Sequence, residues 1–255
     1  MGIERSQRRS AIDSVIAPVL YRLSYLFGEG PMALPDVRWL MNRYTHTAVR
    51  ERVKIWARLI CLQPILKAID RHVPDTAERL VDLGSGYGLI SLMAALRRKA
   101  RILGIEASPV RVAIAKMAAR ELGQVTFQCG DVAQIPVPPG DALLLIDILS
   151  YFTDETQGQI LAACADSLKP GGILLIKDNT TVPQWKYRYV NVEERIKRTV
   201  GVYGVTAQIR PNHHPPELWR QLIRSANLEV CDEILIESVV PYPGIIYVCQ
   251  KLERG

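Results

Sequence analysis

The stretch VDLGSGYG at positions 81–88 places Gly84, Gly86 and Gly88 at alternate positions, between an apolar run and the stretch LISLMAAL. Glycines spaced this way let the chain turn sharply and let a ligand come close to the backbone. Three more apolar runs end on polar groups. In GIEAS, Glu106 stands 24 residues after Asp82, with Ala107 beside it, where a carboxylate can take both hydroxyls of a ribose. CGDV offers Asp131 to an exocyclic adenine amine and Val132 to the face of the ring. LLIDILSYF sets Asp147 at the lip of the same pocket. Such groups at successive strand ends suit a nucleotide-like ligand bound outside the carboxyl edge of a parallel sheet.

The elements that must position these groups can be read from hydrophobic patterning. RLVDLG, RILGIEA, VTFQCGD, ALLLID and GILLIKD read as strands, with EILIESV and IIYVCQK near the end. Helical patterns lie between them: LISLMAALRR, PVRVAIAKMAAREL, ETQGQILAACADSLK and PELWRQLIRSANL. Strands that are apolar throughout and alternate with helices predict a sheet covered on both faces. The architecture expected is α/β, a doubly wound, seven-stranded, mostly parallel sheet, with the last two strands forming an antiparallel hairpin at one edge. Ahead of it, residues 11–27 carry a helical apolar stripe with Pro18 as a kink. Residues 38–72 read as a second helical region with Val53, Trp56, Leu59 and Ile60 on one face and Pro64 interrupting. The division expected is 1–76 as an N-terminal helical lid and substrate segment and 77–255 as the ligand-binding catalytic domain. Residues 182–216 are too long for an ordinary strand-to-helix connection and rich in Trp, Tyr, Arg and His, so they read as a cap over the substrate.

Composition narrows the class. Of 255 residues, 48% are hydrophobic and 23% charged, which suits a globular protein. No apolar run is long enough to span a bilayer and no signal peptide is evident, so a cytoplasmic location is expected. The five cysteines are scattered without CxxC spacing, which argues against a zinc site or a disulfide framework. Net charge is +6, and most of it lies in residues 1–60, where ten Lys/Arg face five Asp/Glu. A basic end with an apolar helical stripe could meet an anionic membrane surface through residues 1–28, or could pack as a lid or dimer contact. The oligomeric state is not legible.

VDLGSGYG, GIEAS, GDV, the ID of the fourth strand and LKPGG at 168–172 together resemble the class I S-adenosylmethionine-dependent methyltransferases over about residues 78–180. The resemblance implies S-adenosylmethionine as cofactor. Gly84, Ser85, Gly86 and Gly88 would cradle its methionine part, with Asp82 orienting that turn. Glu106 and Ala107 would meet the ribose, Asp131 and Val132 the adenine, and Asp147 and Ile148 the transferable methyl. A nicotinamide dehydrogenase shares the turn and the ribose carboxylate, but the spacing here is GxGxG and not GxGxxG.

The acceptor is read from the residues after the fourth and fifth strands. ILSYF replaces the Asn/Asp-Pro-Pro-Tyr pattern of enzymes acting on base amines, and no Pro-Cys nucleophile is present, so nucleic acid is not the expected partner. IKDN at 176–179, with Asp147, resembles the metal set of catechol-type O-methyltransferases, although Ser150 stands where that family has lysine. It also resembles the strand end of protein N-terminal amine methyltransferases. No metal ligands are assigned. The fourth-strand end and VPQW at 182–185 resemble bacterial small-molecule methyltransferases of pigment and polyketide-type clusters, which implies a small, largely apolar or aromatic acceptor methylated at oxygen, nitrogen or carbon. Asp178 and His214 are the candidate catalytic groups, and Tyr44, Tyr151, Trp185, Tyr187, Tyr203 and His213 the candidate acceptor-binding ones. A lipid at a membrane surface is an alternative acceptor, and a cofactor-binding scaffold is the non-enzymatic alternative.

Overall fold

The computed structural model describes residues 32–199, 211–236 and 243–252, together with Val19 and Arg22. Most of the apolar stripe expected over 11–27, and Tyr203 in the cap, lie outside the described residues. The chain forms two compact units, residues 1–135 and 136–255.

In the first unit, α1 (Leu34–Arg43), α2 (Val49–Leu59) and α3 (Gln63–His72) precede the first strand. Helix α2 buries Arg52, Ile55 and Leu59, while Val53 is exposed. This corrects the expected face: a stripe at 52, 55 and 59 has helical spacing, and Arg52 joins it by laying its guanidinium 5.0 Å from the centroid of the Trp56 ring. Pro64 sits in the first turn of α3 and starts that helix, where its missing N–H costs nothing. Then β1 (Arg79–Leu83), α4 (Leu89–Arg97), β2 (Arg101–Glu106), α5 (Pro109–Ala118) and β3 (Val125–Cys129) alternate. The three strands pair in parallel, Asp82 opposite Gly104 and Glu106 opposite Cys129. Every residue of α4 from Leu89 to Ala95 is buried, which explains its nearly continuous apolar sequence.

In the second unit, β4 (Gly140–Ile146) leads through a short 3-10 turn, Leu149–Tyr151, to α6 (Asp154–Ser167). Thr153 caps α6 by accepting from the Thr156 N–H at 3.3 Å. Strand β5 (Leu168–Asn179) runs parallel to β4. The expected cap contains a helix, α7 (Gln184–Thr199), and is followed by α8 (Pro216–Ser225), β6 (Leu228–Ile236) and β7 (Gly244–Lys251). Strand β7 is antiparallel to both β5 and β6, as the hairpin expectation required. The strand order is β3-β2-β1 in the first unit and β4-β5-β7-β6 in the second.

Candidate functional site

The glycine turn of the first unit leaves β1 with Gly84, Gly86 and Gly88 all at positive φ, 78°, 58° and 81°. The N–H groups of Gly84 and Ser85 both donate to the Ile105 carbonyl, at 2.7 and 2.9 Å, which stitches the turn to the end of β2. Gly88 is constrained by space as well as by φ. A Cβ there would lie 2.4 Å from Phe127 Cζ.

Two carboxylates frame the turn. Asp82 is fully buried and accepts from the Ser91 hydroxyl at 2.6 Å. Burial pushes its carboxyl up to about 6; the Ser91 hydrogen bond opposes that shift and the nearby Glu106 charge adds to it. Glu106 accepts from the Gly86 N–H at 3.0 Å through one oxygen and from the Ser108 N–H at 2.9 Å through the other. Arg111 stands 3.5 Å from Glu106. Ala107 is exposed beside it. Asp131 accepts from the Ala133 N–H at 3.0 Å and from the Gln134 side chain at 3.1 Å, and Val132 is buried.

The helices before β1 reach this turn. Tyr44 donates to the Tyr87 carbonyl at 2.8 Å, and the Tyr87 hydroxyl donates to the Glu51 carboxylate. Tyr44 is therefore a buried prop under the glycine turn and does not line an acceptor site. Burial alone pushes its phenol well above the usual range.

The second unit gathers the remaining candidates. Asp147 follows β4 at a positive φ of 55°, is exposed, and takes the Lys177 ammonium. Asp178 is buried, and its two oxygens accept from the Ser150 and Asn179 N–H groups at 2.9 and 2.7 Å. Lys177 and Asp178 are successive strand residues and so leave β5 on opposite faces. Asp147 and Asp178 are thus engaged separately, and no cluster of three metal-ligating groups occurs among the described residues.

The adjacent histidines part company. His214 is buried, within 2.9 Å of the Gln157 side-chain oxygen and edge-on to Trp219 at 5.2 Å. Burial lowers its pKa, against the pull of Asp154 and Asp178. Its ring packs in the core. His213 brings Nδ1 to 3.6 Å from an Asp178 oxygen and meets the Tyr187 ring edge-on at 6.3 Å. Tyr187 also lines a cavity of about 330 Å³ with Thr181, Val182, Gln184, Arg188 and Asn191. Trp185 and Tyr151 are exposed, and Ile148 is half-buried.

Residues 80–172 match the family model described as "Methyltransferase domain". Over those residues the chain carries a methyltransferase domain. Among curated relatives, a ubiquinone biosynthesis O-methyltransferase of Xylella fastidiosa is 32% identical over 142 residues, covering 53% of this chain and 56% of the relative. The chain spans about half the length of the first curated relatives it matches. Among solved structures, the magnesium protoporphyrin IX methyltransferase of Synechocystis superposes with a TM-score of 0.58 at 16% identity, covering 91% of this chain and 93% of the other. The cyclase SpnF superposes at 0.61 with 21% identity, covering 78% of this chain and 84% of the other. At such identities the structural likeness is one of fold.

The residues at the glycine turn fit S-adenosylmethionine. The Ser85 hydroxyl is buried at the turn without a hydrogen-bond partner, as a group awaiting a polar ligand would be. Beside it stand two buried carboxylates and a backbone kept free of side chains. Glu51, Tyr87, Ser91 and Arg111 were missed by sequence reasoning. Tyr87 lies inside the quoted motif, but nothing in spacing ties it to Glu51, 36 positions away.

Proposed function

We propose that the protein transfers a methyl group from S-adenosylmethionine to an oxygen of a small, largely apolar or aromatic acceptor. The observation that carries this reading is the glycine turn bonded to Glu106, with the partnerless Ser85 hydroxyl beside it. Asp82, Gly84, Ser85, Gly86 and Gly88 would hold the methionine part, Glu106 and Ala107 the ribose, Asp131 and Val132 the adenine, with Asp147 and Ile148 as further contacts. When bound, the cofactor supplies an electrophilic methyl on sulfonium, which needs only an aligned nucleophile and a place for its proton.

The proton falls to His213 in this reading. Its imidazole Nδ1 stands 3.6 Å from Asp178, whose carboxylate is fixed by two backbone N–H groups. Asp178 becomes the positioning residue, which revises its expected role as proton acceptor. The acceptor occupies the cavity bordered by Tyr187, with Trp185 and Tyr151 as outlying aromatic contacts. Relatives named as O-methyltransferases support oxygen as the atom methylated. The helices of residues 34–72 serve as a lid on the cofactor side. The basic stretch 1–28 supports a peripheral membrane contact, to be tested by vesicle sedimentation with and without it. No helix among the described residues is long and apolar enough to cross a membrane.

Incubation with methyl-labelled S-adenosylmethionine and a panel of hydroxylated aromatics, with matched amines, tests the reading. Label in phenolic or hydroxyl products supports it. Label in amines alone, or cofactor binding with no transfer to any acceptor, contradicts it; the cyclase likeness shows that this fold also serves other reactions.

A further inference from the structure

The cavity of about 330 Å³ in the second unit has a polar wall that a neutral acceptor does not need. Gln184, Arg188 and Asn191 follow one another along α7 at spacings of four and three, so they lie on one face of the helix. All three line the cavity, with Thr181, Val182 and Tyr187. Of these described lining residues Arg188 alone is charged, and none is a carboxylate. Among the described residues, no hydrogen bond or ion pair takes up the side chains of Gln184, Arg188 or Asn191. A guanidinium and two side-chain amides therefore border the cavity with their donors open to a ligand.

The same cavity is stitched to the histidine segment. Thr181 donates its N–H to the His214 carbonyl at 3.3 Å, and the Tyr187 ring meets His213 at 6.3 Å. The Tyr187 N–H donates to the Pro183 carbonyl at 3.2 Å, which fixes the start of α7 beside the cavity. Charge in the surrounding sequence favours an anion as well. Between Gln184 and Thr199 there are five Lys/Arg against two Glu.

We infer that Arg188 binds a carboxylate of the acceptor, which makes the substrate class a hydroxylated aromatic acid. The guanidinium is planar and permanently charged, its donors match a carboxylate in pairs, and the Gln184 and Asn191 amides add further donors. An acceptor amine would be repelled by that charge. A phosphate dianion would call for a second cation, and the described lining residues hold no other. The volume suits a small ligand built on a single ring. Anchoring its acid group at Arg188 sets the ring against Tyr187, the residue that also meets His213. This inference rests on reading the cavity as the acceptor site, and the test separates the two.

Calorimetry on the full chain, with S-adenosylhomocysteine present, compares dihydroxybenzoate with dihydroxybenzamide, its neutral analogue, and with phenyl phosphate. In wild type the benzoate binds about 10- to 100-fold more tightly than the benzamide, as a charge-assisted pair requires. Arg188→Ala removes that preference and leaves the binding of the benzamide unchanged. Arg188→Lys, which keeps the charge without the planar fork, falls between. Retained S-adenosylhomocysteine binding shows that the variants are folded. Equal binding of benzoate and benzamide by wild type, a preference that survives Arg188→Ala, or binding of neither overturns the assignment. Tighter binding of the phosphate overturns the choice of carboxylate. Methyl transfer is read separately: a chain that holds the benzoate through Arg188 yet labels only amines overturns the oxygen reading and supports the carboxylate site.

Discussion

The Glu106 carboxylate accepts the Gly86 N–H at 3.0 Å, so a side chain at the end of β2 holds the middle of the glycine turn that leaves β1. The same carboxylate takes the Ser108 N–H at 2.9 Å. One group therefore organises two backbone segments and holds a turn whose glycines have left-handed φ.

Removing that acceptor should loosen the turn locally. Glu106→Ala is expected to speed hydrogen exchange at the Gly86 and Ser108 amides by about tenfold, the worth of one such hydrogen bond. Amides in the centre of β1, such as that of Val81, should be unaffected. Mass-resolved exchange on peptides covering 81–88 and 104–110 checks this. Equal exchange in both chains would mean that Glu106 does not hold the turn.

Asp82 predicts a pH-dependent conflict between stability and binding. Its carboxyl is raised from 3.8 to about 6 in the folded chain, so the folded state binds the proton more tightly than the unfolded one. The stabilisation from that proton is complete below the unfolded value and is lost as pH rises through about 6. Asp82→Asn mimics the protonated form. It should raise the melting temperature at pH 8, by up to about 3 kcal/mol of stability, with the gain fading towards pH 4. Cofactor binding should weaken. A variant less stable than wild type at pH 8 would contradict the assignment.

The two histidines should respond differently although they are neighbours in the chain. His213→Ala should lower kcat by about 100-fold or more, the usual worth of a positioned base. His214→Ala should lower the melting temperature by removing a buried ring packed on Trp219 and bonded to Gln157. His214 is held neutral by burial, so its stabilisation is present above its unfolded value and is lost as pH falls through the lower folded one. Kinetics and thermal melts on the two variants decide this; interchanged phenotypes would reverse the roles.

The cofactor side was legible in the sequence because its signals are local. Glycine spacing, strand-end carboxylates and apolar runs lie within a few residues of each other, and the first four strands formed where the patterning placed them, while β5 and β6 begin four to five residues earlier than expected. The contacts made by the preceding helices were not legible. Tyr44 looked like an acceptor contact because nothing in its neighbourhood marks a hydrogen bond to a carbonyl 43 positions away. The face of α2 was misread because a buried Arg52 replaces an apolar residue in the stripe, and hydrophobic patterning has no weight for an arginine covered by Trp56. His213 and His214 were indistinguishable as adjacent residues of one type. The two rings meet different partners, His214 against Gln157 and Trp219 and His213 against Asp178.

The most direct measurement is titration of the full chain with S-adenosylhomocysteine, in wild type and in Glu106→Ala. The account predicts one ligand bound per chain in wild type and a loss of about 100-fold in the variant, since two ribose hydroxyls lose a charged acceptor. Unchanged affinity in the variant, or no heat of binding in wild type, would contradict it.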